Sequence, residues 1–146
     1  MPLMAYQDFN AFKLFVLDVG LLSAMSGLDI KSLLQGNRVF EEFKGALTEQ
    51  YVLQQLITNN AITPFYWTAE KSNGEIDFVF QSGMDIVPLE VKAAENLQAK
   101  SLKSYCLRYE PKYAIRTSMS DYRKEDWLMN LPLYAINGIL NVLEIV

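Results

Sequence analysis

The chain has 146 residues, a net charge of −4 and 51% hydrophobic residues, a soluble globular composition with enough apolar material for one core. It contains no histidine, which excludes Ser-His-Asp and Cys-His catalysis and the usual zinc and haem ligand sets. A metal here would be a hard cation held by oxygen, and contact with nucleic acid would rest on a local basic patch, because the overall balance is acidic.

The first residues, MPLMAYQDFNAF, show no period. KLFVLD (13–18) reads as a short strand, and DVGLLSAMSG as a short helix with Asp18 at its start and Gly27 just past its end. LDIKSLLQG reads as a further short helix, stopped by Gly36. The main helix follows, NRVFEEFKGALTEQYVLQQLITNN, with Asn37 as N-cap and Glu41 and Glu42 in its positive first turns. Phe43, Ala46, Leu47, Leu53, Leu56 and Ile57 mark its apolar stripe.

Then the period changes. TPFYWTAE (63–70) is aromatic and strand-like, and KSNG turns the chain. EIDFVFQ (75–81) alternates, with Ile76, Phe78 and Phe80 expected on one face and Glu75, Asp77 and Val79 on the other. SGMD turns again into IVPLEVKAA (86–94), so three antiparallel strands form a meander. LQAKSLKSYCLRYE (97–110) is an amphipathic helix with Leu102, Tyr105, Cys106 and Tyr109 inward, and KYAIRTS (112–118) is a strand. WLMNLPLYAIN and ILNVLEIV are expected to supply closing strands.

The order helix, three strands, helix, strand predicts one α/β domain with a mixed central sheet, since the strand–helix–strand crossover makes its pair parallel. Residues 1–36 form an N-terminal helical and strand segment, 37–118 the core, and 119–146 the closing strands. The apolar run LFVLDVGLLSAM is interrupted by Asp18 and too short to span a bilayer. The single Cys106 has no internal disulfide partner and reads as a structural thiol in a reducing compartment. We therefore expect a cytoplasmic protein without membrane contact. No GxxxxGK[ST] loop is present, so the chain carries no nucleotide site of that kind.

Three charged residues lie inside the most strand-like stretch, EIDFVFQSGMDIVPLEVKAA. Glu90 and Lys92, two apart, share a strand face, and ordinary hairpin register sets Asp77 nearly opposite Glu90. Two carboxylates about 4 Å apart repel by roughly 4 kcal/mol at an effective dielectric near 20. Lys92 offsets part of that repulsion, and Mg²⁺ or Mn²⁺ would offset more while leaving sites for water and phosphate. Glu49 sits beside the apolar stripe of the long helix, among Gly45, Ala46, Val52 and Leu53, where a carboxylate needs a partner. Glu75 reads as a solvated flank or a reserve ligand. Lys100, Lys103 and Arg108 are the local basic cluster that could meet phosphate beside Lys92, with Arg116 a lesser candidate; the bland reading of these lysines, and of Glu95, is a solvated helix face.

The arrangement E-I-D77 and E90-V-K92, in that element order, resembles the PD-(D/E)xK phosphodiesterase superfamily, the restriction-endonuclease-like fold. KLFVLDVGLLSAMSG, GALTEQYVLQQL, EIDFVF, PLEVKAAEN, SLKSY and YAIRTS…DW…LPLYAI further resemble a C-terminal domain of unknown function found in predicted bacterial and archaeal AAA+ ATPases. The resemblance implies metal ligation by Asp77 and Glu90, catalytic roles for Lys92 and Glu49, weak phosphate contacts from Lys100 and Lys103, and Mg or Mn as cofactor. It also implies nucleic acid as substrate and an ATPase region as partner, that region being absent from this chain. In a second reading the chain is a catalytically inactive accessory or target-recognition module of the ATPase, with the same residues a relic or a structural network, and the apolar C-terminal segment suggests a third, an oligomerisation domain.

Overall fold

In the computed structural model, residues 2–27, 38–69, 74–93 and 98–145 are described. The chain begins with a 3-10 turn, Leu3–Tyr6, and an irregular arm that leads into helix α1 (Val19–Met25). Asp18 caps α1 as expected, its Oδ1 accepting the Leu21 N–H at 2.7 Å. Gly27 follows with φ +66°, a left-handed position that favours glycine. The segment 13–18, expected as a strand, is irregular instead. It is fastened at Val16, and just beyond at Val19, by side chains of the long helix α2 (Arg38–Asn60). The Gln50 amide accepts the Val16 N–H at 3.0 Å and donates to the Val16 carbonyl at 2.9 Å, while Gln54 accepts the Val19 N–H at 3.1 Å. A glutamine thus does what a neighbouring strand would do. The expected helix at 28–36 and the Asn37 cap lie outside the described residues.

The expected meander is present: β1 (Phe65–Thr68), β2 (Glu75–Ser82) and β3 (Asp85–Val91) pair antiparallel. Gly83, at φ +61°, supplies the left-handed residue in the two-residue turn between β2 and β3. Helix α3 (Lys100–Tyr109) crosses over to β4 (Ile115–Ser118), which runs parallel to β3. Then β5 (Arg123–Lys124) and β6 (Met129–Pro132) complete a six-stranded mixed sheet in the order β1-β2-β3-β4-β6-β5. The last segment corrects the expectation of closing strands: after β6 come a 3-10 turn, Leu133–Gly138, and helix α4 (Ile139–Ile145). Ile136, Ile139 and Leu143 are buried at helical spacing, a period hidden in so short an apolar run.

Each face of the sheet has its own core. Phe78, Phe80, Val87, Leu89, Val91, Ile115 and Leu131 pack against Val52 and Leu56 of α2 and against the C-terminal helical segment. On the opposite face Ile76, Val79, Ala114 and Leu128 pack against Leu102 and Tyr105 of α3. The stripe of α2 is rotated from the expected one: Thr48, Gln50, Val52 and Leu56 are buried, while Ala46 is exposed and Ile57 is 50% exposed. The rotation turns Gln50 toward the arm. Tyr109 is exposed, yet its ring meets that of Trp67 edge-on at 5.9 Å. The four α-helices among the described residues lie about a mixed sheet, an α/β domain.

Candidate functional site

The site begins with an irregularity in β2. Phe65 pairs with Val79 but Trp67 pairs with Ile76, so residues 77 and 78 of β2 oppose the single residue 66 of β1. This β-bulge breaks the expected alternation: Ile76 goes to the α3 face while Phe78 and Phe80 stay on the α2 face. The β2–β3 ladder runs from Ser82–Asp85 to Phe78–Leu89, and one more step would set Asp77 against Glu90. Instead, Asp77 Oδ2 accepts the Val91 N–H at 2.7 Å. The carboxylate occupies the place of a ladder carbonyl, at the end where the two strands part.

Glu90 is buried, only 6% exposed, on β3. Its Oε1 pairs with Lys92 Nζ at 2.6 Å, and its Oε2 is buried with no hydrogen-bond partner among the described residues. Lys92 lies just past β3, where its N–H donates to the Thr117 carbonyl at 2.9 Å. In the parallel pairing Glu90 stands beside Arg116. The buried Arg116 donates from Nε to Asn130 Oδ1 at 2.9 Å, and its Nη2 is 3.7 Å from Glu125 Oε1. Burial lowers the pKa of Arg116, against the opposing charges of Glu125 and Glu90.

Glu49, half-buried on α2, completes the expected group, and a residue that the sequence did not single out joins it. Lys13, carried by the N-terminal arm, pairs with Glu75 and stands 3.8 Å from Glu49 Oε2. Burial of Lys13 works to lower its pKa, but the bond to Glu75 and the charges of Glu49, Glu75 and Asp77 outweigh it and hold the ammonium above its usual range. Burial raises Glu49, with Glu75 and Glu90 adding and Lys13 opposing. Asp77 is pushed up to about 7, first by burial, against the Val91 N–H and Lys13, with Glu90 and Glu49 adding to the rise. Glu49, Asp77 and Glu90 therefore feel one another's charge, and Lys92 joins through Glu90.

Lys100 and Lys103 are exposed on the first turns of α3, across the sheet from α2, and make no ion pair with the site among the described residues. Arg108 lies over the Tyr109 ring at 5.1 Å. Glu95 lies outside the described residues. Cys106 is half-buried and burial raises its thiol pKa, as suits a structural cysteine. A cleft lined by Leu3, Ile62, Phe65, Gln81 and Leu140 sits at the far end of β2, away from Asp77.

The donors suit a hard cation, being carboxylate oxygens only. Among the described residues no three acidic or thiol side chains are gathered closely enough to enclose an ion. Two carboxylates, one with an oxygen lacking a partner, remain a sufficient protein contribution for Mg²⁺, which keeps several waters and takes phosphate oxygens.

Fold and site together define an α/β domain with coupled carboxylates at the parting of two central strands. The chain belongs to the family described as Domain of unknown function (DUF4143), which matches residues 44–136. That span includes Glu49, Asp77, Glu90 and Lys92 and leaves Lys13 outside. No curated protein and no solved structure matches the chain.

Proposed function

We propose that this domain is a divalent-metal-dependent phosphodiesterase of the restriction-endonuclease-like, PD-(D/E)xK kind, acting on nucleic acid as the C-terminal part of an AAA+ ATPase-type protein in the prokaryotic cytoplasm. One observation carries the reading: a buried glutamate, Glu90, with one oxygen bonded to Lys92 and the other without a partner, beside an aspartate pushed up to about 7 at a bulge. Such buried carboxylates are costly unless a ligand answers them. The order of α2, the β1–β3 meander, α3 and β4 supports the fold assignment.

Asp77 and Glu90 would hold Mg²⁺ or Mn²⁺, which supplies Lewis-acid polarisation of the phosphate and lowers the pKa of a bound water. The Val91 N–H fixes one Asp77 oxygen, so the carboxylate is oriented before any ligand arrives. Lys92, tethered by Glu90, would orient a water or face charge developing on phosphorus. Glu49, less acidic than an ordinary glutamate, is suited to take a proton from that water.

The test is a calorimetric titration of Mn²⁺ into the wild type, Asp77→Asn and Lys92→Ala, followed by a cleavage screen on labelled single- and double-stranded DNA and RNA. Binding that is lost in Asp77→Asn and kept in Lys92→Ala, with metal-dependent cleavage lost in both, is the expected result. Metal binding without cleavage of any substrate favours the second reading, an inactive recognition module of the ATPase. The exposed apolar residues of the arm, Phe9, Phe12, Leu14 and Leu17, support that second reading as a surface open to a partner.

A further inference from the structure

The arm that carries Lys13 is fastened by bonds that do not involve this lysine. Val16 is held in both directions by Gln50, and Val19 by Gln54. From this anchored backbone the Lys13 ammonium reaches Glu75 and Glu49, and it lies 5.4 Å from the centre of the Tyr66 ring. Its charge also acts on Asp77. Three carboxylates on α2 and β2 are thus already answered by one protein cation. Glu90 Oε2 is a buried carboxylate oxygen without a hydrogen-bond partner among the described residues.

We propose that Lys13 is the resident cation of this acid cluster, and that a divalent metal ion enters the site by displacing its ammonium. The inference rests on the metal-dependent reading above and adds to it the residue that sets metal affinity. An ammonium and a divalent ion within one acid cluster repel each other, and the Lys13 charge already acts on Asp77, one of the two expected metal ligands. The geometry permits the exchange. The lysine stem is four carbons long and flexible, and the anchors at Val16 and Val19 keep the arm in place after the ammonium swings out. The metal-free cluster is partly neutralised by the chain itself, and removing Lys13 leaves the expected ligands Asp77 and Glu90 untouched.

The full 146-residue chain is titrated with Mn²⁺ alone at about pH 8, above the Asp77 transition. Wild type is compared with Lys13→Met, Lys13→Arg and Lys112→Met, the last removing an exposed charge on the loop before β4. Lys13→Met is expected to bind Mn²⁺ about tenfold or more tightly than wild type, a coupling of ordinary size. Lys13→Arg and Lys112→Met are expected to match the wild type. In the wild type, acetylation of the Lys13 amine, followed by mass spectrometry, is expected to accelerate on adding Mn²⁺, with Lys112 as the internal reference. This second measurement needs no variant to fold.

Equal or weaker Mn²⁺ binding by Lys13→Met, or Lys13 acetylation unchanged while Mn²⁺ binds, would overturn the proposal and leave the metal site standing. Absence of binding in both wild type and Lys13→Met would remove the metal-dependent reading, and this proposal with it.

Discussion

Two buried polar groups lie on this sheet, and they are finished to different degrees. The Asn130 amide itself is fully bonded: Oδ1 accepts from Arg116 and Ser118, and Nδ2 donates to the carbonyls of Ser120 and Asp121. This network ties β4, β6 and the connection between them. Around Asp77 and Glu90 the bonding is incomplete among the described residues, with a buried Glu90 oxygen lacking a partner and an aspartate pushed up to about 7. Satisfied buried polar groups rigidify a fold, whereas unsatisfied ones cost stability and persist where something else needs them. The first group holds strands together. The second, in the function proposed above, receives a metal ion.

That contrast breaks most visibly at Asn130. Asn130→Ala should cost about 3 kcal/mol in urea unfolding, because it removes the buried bonds from Arg116 and Ser118 and leaves two carbonyls without the amide that they accept from. Asp77→Asn should act in the opposite direction. A folded-state pKa near 7 against an ordinary 3.8 means that ionising Asp77 opposes folding. The cost is absent below about pH 4, grows as pH rises to about 7 and is constant above. The variant should therefore gain about 2 kcal/mol over wild type at pH 8 and nothing at pH 4, in parallel urea titrations. The asparagine carbonyl can still accept the Val91 N–H.

Smaller effects sharpen the comparison. If Asp77 ligates Mn²⁺ as proposed, binding requires it ionised, so affinity should fall by about tenfold per pH unit below the transition near 7, with proton release visible when calorimetry is repeated in buffers of different ionisation enthalpy. Glu90→Gln removes a charge that raises Asp77, so the Asp77 transition should move to lower pH when the side-chain carboxyl carbon is followed by NMR. An unmoved transition would show that Glu90 does not govern Asp77.

Much of this was legible in the sequence. Asp77, Glu90 and Lys92 stand out because alternation and short turns place charges inside an apolar hairpin, and Glu49 because it interrupts a helical stripe. The helix–meander–helix–strand order follows from the same periods. The bulge was not legible: one additional residue in β2 sends Ile76 to the other face, and nothing in composition marks it. Lys13 was missed for a different reason. The arm has no period of its own and takes its position from Gln50 and Gln54, thirty-odd residues away. The Arg116–Asn130 pair depends on the parallel register of β4 and β6, which is set in three dimensions. The C-terminal helix was misread because ILNVLEIV is short enough to suit a strand equally well.

The most direct test of the central claim is to grow crystals of the domain, soak them in Mn²⁺ and locate the ion by its anomalous scattering. A peak at about 2.1 Å from oxygens of both Asp77 and Glu90, the range of hard-cation ligation, with the Lys13 ammonium moved away from Glu49, is the result this account predicts. No peak at Asp77 and Glu90 in crystals whose packing leaves the site open, with Lys13 still paired with Glu49 and Glu75, would contradict it.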